Sequence, residues 1–141
     1  MNIEECFAKG LLRKEMPDRE KSKKSLIISE RKLAKAEKLQ ALGIFEDALV
    51  NCYASMFHAG RAILFRDGIR EKSHFGVWVY LNEKYSSMLE RRFLNELNAL
   101  RLERHEISYG LDEAAITGEA SGDALLLAKG FLKAVKKLLE S

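Results

Sequence analysis

Hydrophobic positions recur at three- and four-residue spacing along most of the chain, and that pattern predicts helices nearly from end to end. The clearest stripe runs from about Phe45 to Arg66. Phe45, Ala48, Leu49, Cys52, Tyr53, Met56, Phe57, Gly60, Ile63 and Leu64 share one face of it, and Asp67-Gly68 closes it. Before it, a helix from about Asp18 to Leu42 carries Leu26, Ile27, Leu33, Ala34 and Ala41 as its apolar stripe and stops at Gly43. A short first helix, about Asn2 to Lys14, is ended by Pro17. Ser73 is placed to N-cap a shorter helix bearing Phe75, Val77, Trp78, Tyr80 and Leu81, aromatics that read as core. A long helix from about Ser87 to Ser108 follows, then a loop from Gly110 to Thr117. The last helix, about Gly118 to Leu139, shows Leu127, Phe131, Val135 and Leu138. No stretch alternates apolar and polar residues for long enough to predict a half-buried strand. Long amphipathic helices with short connections predict an all-α fold. The expected architecture is an up-and-down antiparallel bundle of four to five helices, one domain over residues 1–141.

Composition narrows the class. Of 141 residues, 47% are hydrophobic and 32% charged, a globular rather than a disordered balance. The longest charge-free run, Ala48 to Gly60, contains Asn51 and His58 and is too short and polar to span a bilayer, so no membrane association is expected. The first residues, MNIEECF, are acidic where a secretory leader would be basic and then apolar. Cys6 and Cys52 make neither a disulfide framework nor a zinc spacing. A reduced, cytoplasmic protein is the expectation. His105-Glu106 is not continued into a zinc-binding HExxH, and Gly118 to Gly122 is followed by Asp123 rather than the Lys of a phosphate loop. Neither a metal nor a cofactor is expected.

The net charge of +3 is unevenly spread. Residues 13–38 hold ten Lys and Arg against five Asp and Glu, and the rest of the chain carries no basic surplus. Such a segment is either a solvated helix face laced with ion pairs or an electrostatic patch for RNA or an acidic partner.

One side chain stands on the wrong face. At roughly 100° per residue, Leu89, Phe93, Leu97, Leu100 and Ile107 fall within a sector about 80° wide, and Arg104 lies near its middle. Arg101 falls at the edge of the sector and His105 well round the side. A buried guanidinium requires a carboxylate, a wet cavity or a ligand. Glu30 and Glu37, in the centre of the apolar stripe assigned to the second helix, are the expected counterparts. The pairing reads either as an internal strut or as an anion site in a cleft. His58 and His74 stand in apolar surroundings, where local hydrogen bonding is the ordinary role.

The run Tyr53-Ala54-Ser55-Met56-Phe57-His58-Ala59-Gly60-Arg61-Ala62-Ile63-Leu64 resembles the YYAMFHAARALL stretch of a subgroup of HEPN domains, short stand-alone helical proteins. Further pieces fall in the same order. They are Leu33-Ala34-Lys35-Ala36 with Gly43-Ile44-Phe45-Glu46-Asp47-Ala48, then Ser73-His74-Phe75-Gly76-Val77, Arg104 with Tyr109 five residues on, and Glu119-Ala120 with Ala128 and Phe131. The resemblance covers about residues 25–138.

It implies a bundle of four or five helices, commonly a homodimer, often associated with a small nucleotidyltransferase acting as antitoxin. Many HEPN domains are metal-independent ribonucleases that use an Arg, four to six residues, then a His at the dimer cleft. Arg stabilises charge developing on phosphorus while His moves protons. Here the place of that His falls near Tyr109, and residues 108–112 contain no histidine. Counting from Arg101 reaches His105 after only three residues. Ser108 stands where the subgroup commonly has Asp, and Ala54 where it has an aromatic. The expected site is therefore Arg104, His105 and Tyr109 for any chemistry, with Arg101, Arg104 and Tyr109 binding RNA or nucleotide. The alternative is a non-catalytic module that binds and regulates a nucleotidyltransferase.

Overall fold

The computed structural model describes residues 1–111 and 115–140. Its elements are α1 (Ile3–Ala8), β1 (Leu12–Lys14), α2 (Arg19–Ala41), α3 (Phe45–Asp67), β2 (Ile69–Glu71), α4 (His74–Lys84), α5 (Arg91–Tyr109) and α6 (Gly118–Glu140). The long helices form the expected all-α bundle. α3 runs through its centre, buried on nearly every side in its middle turns and packed against α2, α5, α6 and α4. Among the described residues no helix is long and apolar enough to cross a membrane.

The helix ends follow local chemistry. Asp18 caps α2 by accepting the Lys21 amide at 3.0 Å, and Gly43, at φ 77°, turns the chain into α3. Gly68, at φ 76°, ends α3 in the left-handed conformation that the Asp67-Gly68 pair predicts. Ser73 caps α4 through the Gly76 amide at 2.9 Å. Trp78 joins the core, its indole N–H donating to the Leu94 carbonyl at 2.9 Å.

Three expectations need correction. The first helix ends at Ala8 rather than Lys14, because Gly10 at φ 71° breaks it. Leu12–Lys14 instead pairs antiparallel with Ile69–Glu71, Leu12 opposite Glu71 and Lys14 opposite Ile69. Three-residue strands are too short to show alternation. Third, α5 begins at Arg91, not Ser87, since Met88 and Leu89 donate back to the Tyr85 carbonyl in a turn that reverses the chain after α4. Residues 112–114 of the expected Gly110–Thr117 loop lie outside the described residues.

The buried face of α2 also differs from the assigned stripe. Its buried residues are Ser22, Ser25, Ser29 and Ala36, whereas Ile27, Ala34 and Ala41 are exposed. The serines donate across to carbonyls of α3: Ser22 to Ala62 at 2.7 Å, Ser25 to His58 at 2.6 Å and Ser29 to Ser55 at 2.6 Å. Ser55 returns a bond to the Ser29 carbonyl at 2.9 Å. Small hydroxyl residues let the two backbones approach while keeping each buried oxygen paired.

Candidate functional site

Tyr53, Phe57, Arg61 and Phe65 follow one another at four-residue intervals and so form one row along α3. His74, the first residue of α4, lies over the start of this row. Two features fix it there: the Ser73 cap, and the close seat of Gly76, where a Cβ would come within 2.7 Å of the Leu11 carbonyl oxygen. The His74 ring stacks on Phe57 with centroids 4.2 Å apart and planes inclined 15°, and on Tyr53 at 5.7 Å. From α5, Arg104 crosses the Tyr53 ring at 5.5 Å.

Polar contacts bind the three side chains together. The Tyr53 hydroxyl lies 2.7 Å from His74 Nδ1, and Arg104 Nη2 lies 3.3 Å from the same nitrogen. A guanidinium only donates, so Nδ1 must accept, the Tyr53 O–H also donates to it, and the ring proton resides on Nε2. Burial and then the Arg104 charge hold His74 below the usual histidine range, with Arg101 and Arg61 adding to the effect and Glu71 opposing it. Its position at the N-terminus of a helix works in the same direction. Burial pushes the Tyr53 hydroxyl up to about 12 against the pull of the arginines, so it remains a donor. His74 therefore carries a neutral Nε2–H beside a cation. That arrangement suits holding an anion. As a general base it is poor, because its available lone pair is occupied.

Two depressions meet at this histidine. One, of about 250 Å³, is lined by Val50, Tyr53, Ala54, Phe57, His58, His74 and Arg104. The other, of about 400 Å³, is lined by Phe57, Arg61, Arg70, Glu71, Lys72, Ser73 and His74. The short β ribbon places Arg70, Glu71 and Lys72 beside His74, and Glu71 pairs with Arg61. His58 Nδ1 is buried without a hydrogen-bond partner, and burial, reinforced by Arg61, holds this ring neutral, down to about 4. Among the described residues no three His, Cys, Asp or Glu side chains gather in a way that could hold a metal ion.

The HEPN domain family matches residues 22–138, most of the chain, from the first turn of α2 to the last turn of α6. The chain belongs to the HEPN domain family. It is also similar to the candidate toxin MJ0605 of Methanocaldococcus jannaschii, at 27% identity over 137 residues, which cover 94% of this chain and 97% of that protein.

Within this HEPN domain the expected site residues are placed as follows. Arg104 is half-buried, on the face the periodicity assigned to it. Its expected carboxylate partners are elsewhere, which corrects that part of the reading. Glu30 pairs with Lys136 at 2.7 Å and Glu37 with Lys129 at 3.5 Å, both on α6, because the serine row rather than the assigned stripe faces inward. Among the described residues no carboxylate lies within ion-pair distance of Arg104. Arg101 is half-buried, donates to Asn98 Oδ1 at 3.0 Å and covers the Phe75 ring at 5.0 Å. His105 and Tyr109 are both exposed and face each other one turn apart, ring centroids 4.9 Å. Tyr53 and His74, which contact Arg104, were not among the expected site residues. Helix periodicity places Tyr53 in the core and the Ser73 cap makes His74 the first residue of α4, but neither says that the two meet.

Proposed function

We propose that this HEPN protein is of the toxin–antitoxin type and binds RNA or nucleotide at the cleft around Arg104, with weak cleavage at most. One observation carries the reading: a half-buried guanidinium, held over Tyr53 by cation–π contact and anchored to His74, that has no carboxylate partner among the described residues. A phosphate satisfies such a group with two charge-assisted hydrogen bonds. Arg101 and Tyr109, on the same helix, are proposed to flank the ligand, and His105 to serve any proton transfer. The similarity to a candidate toxin supports the toxin–antitoxin assignment.

The proposal includes a homodimer, with a small nucleotidyltransferase as antitoxin. Leu102, Tyr109 and Leu111, at 56%, 68% and 103% exposure, give the end of α5 an apolar surface that a protein neighbour would cover. Light scattering at micromolar concentration tests the dimer, and a monomer there overturns it.

The test of the main reading is fluorescence anisotropy with labelled RNA, with and without chelator. Arg104→Ala is expected to weaken binding about 10- to 100-fold, the loss of a charged hydrogen-bonded contact. The second reading, a module that regulates a nucleotidyltransferase without touching RNA, is favoured by the exposed end of α5. It takes precedence if RNA fails to bind and the partner enzyme does bind.

A further inference from the structure

We infer that the ligand is a strand of several nucleotides rather than a mononucleotide, laid along the α3 row from Arg104 to the N-terminal half of α2 and recognised by its phosphates. The inference rests on the reading of the Arg104 cleft and extends it along the surface. Tyr53 and Phe65 stand at opposite ends of the row, twelve residues apart, or about 18 Å along the helix axis.

Cations cover both ends. Arg104 lies over Tyr53 at 5.5 Å, while Arg61, Arg70 and Lys21 surround the Phe65 ring at 5.0, 5.6 and 5.9 Å. Between the ends lie three depressions that share lining residues. The depression at Arg104 shares Phe57 and His74 with its neighbour. That neighbour shares Arg61 and Arg70 with a third depression of about 230 Å³, which is walled by Lys21, Lys24 and Phe65.

This row of depressions is electrically one-sided. Among the described residues its lining holds Lys21, Lys24, Arg61, Arg70, Lys72 and Arg104 against a single carboxylate, Glu71, which Arg61 engages. Glu15, close enough to Arg70 and Lys21 to feel their charge, is bound by Arg13 at 2.8 Å. Lys21, Lys24, Arg70 and Lys72 form no ion pair among the described residues. Five unpaired cations strung over such a length match a repeating anion. At roughly 3.4 Å of rise per nucleotide in a stacked strand, 18 Å corresponds to about five phosphates. The rings along the row are themselves buried, Tyr53 at 3%, Phe57 at 9% and Phe65 at 7% exposure, so bases find little to stack on. Binding is therefore governed by the backbone and indifferent to sequence. The basic segment of residues 13–38 contributes through Lys21 and Lys24, which lie at the far end of the track.

The experiment measures binding of oligouridylates of two, four, eight and sixteen nucleotides across a salt series. Affinity is expected to rise from the dimer to about the octamer and then level off. The logarithmic salt slope at the plateau is expected near −3.5, from about 0.7 per phosphate neutralised on a single strand. Lys21→Gln combined with Arg70→Gln should cut that slope by about 1.4 and reduce the gain with length, leaving the dinucleotide unaffected. Arg104→Ala should weaken every length. Unchanged thermal midpoints establish that the variants fold. A dinucleotide that binds as tightly as the octamer overturns the inference while leaving the Arg104 cleft standing, and so does a Lys21/Arg70 variant indistinguishable from the parent. Polyglutamate competing as well as the octamer assigns the track to an acidic protein and also overturns it. If no oligonucleotide binds at all, the underlying reading fails with it.

Discussion

Arg104 Nη2 meets His74 Nδ1 at 3.3 Å, although thirty positions and two different helices separate these residues in the chain. Tyr53 donates to the same nitrogen at 2.7 Å, so a single lone pair fixes the tautomer of His74 and the position of the guanidinium.

Nitrogen-15 spectra should accordingly show His74 as the Nε2–H tautomer, titrating below the ordinary value of about 6.5. Burial is the largest cause and the Arg104 charge the second. Arg104→Ala should therefore raise the midpoint only part of the way back. Tyr53→Phe should leave Nε2–H dominant, because Arg104 still donates to Nδ1, and only Tyr53→Phe combined with Arg104→Ala should populate Nδ1–H. A midpoint that Arg104→Ala leaves unmoved would mean that the two groups do not meet in solution.

Acid should destabilise the protein through His58. Burial keeps this ring neutral in the folded chain, down to about 4, whereas the unfolded chain binds the proton near 6.5. Between those values the unfolded state carries more protons, so stability falls as pH drops through that window and is fully present above it. The loss is up to about 3 kcal/mol by pH 4, at about 1.36 kcal/mol per unit. Urea unfolding at pH 7, 5.5 and 4 checks this, and His58→Gln should flatten the profile. A His58→Gln protein that loses stability in acid as steeply as the parent would assign the effect to other groups.

The bundle was legible because Phe45 to Leu64 carries an unbroken apolar stripe, and because Gly43, Gly68 and Ser73 mark ends that have a local chemical cause. α2 was harder to read. Its inward residues Ser22, Ser25 and Ser29 count as polar on any hydrophobicity scale, and only their partners on α3 make them core. Taking the apolar residues as the inward face points Glu30 and Glu37 toward Arg104, whereas they pair with Lys136 and Lys129 of α6. The β ribbon escaped because its pairing joins Leu12 to Glu71, fifty-nine positions apart, through three residues on each side. Arg104 itself was found from its place on an apolar face. Its neighbours were not, because which residues of α3 and α4 approach it depends on how the helices cross, and a single sequence does not encode that locally.

The reciprocal pair of Ser29 and Ser55 should behave as one unit. Each hydroxyl donates to the other residue's carbonyl, at 2.6 and 2.9 Å, in a fully buried setting. Either serine changed to alanine should cost about 1 kcal/mol. The double change should cost less than the sum, since the two hydroxyls also lie 3.1 Å apart and the first substitution already removes that shared contact. Additive losses in a double-mutant cycle would show that the hydroxyls act independently. Ser29→Leu should be far worse, because α2 and α3 are too close there for a large side chain.

Turnover is the last expectation, and it should be weak or absent. A histidine near Arg104 is present after all, but it is His74, contributed by α4, and its chemistry is that of a donor. To give up the Nε2 proton it must gain one at Nδ1 from Tyr53, whose hydroxyl is pushed up to about 12. That transfer is steeply uphill at neutral pH, so a phosphate bound there should be held by His74 without its leaving group being protonated. His105 lacks this obstacle, but it is exposed and faces Tyr109. A missing general acid or base costs about 10²–10⁴-fold in rate. RNA incubated with the protein in chelator should thus remain largely intact while still bound, and Arg104→Ala and His74→Ala should both weaken binding. Robust cleavage abolished by His74→Ala would make His74 the proton-transfer group despite its tautomer. Cleavage abolished by His105→Ala, with His74→Ala still active, would move the chemistry to the exposed end of α5 and leave the Tyr53–His74–Arg104 cluster to binding alone.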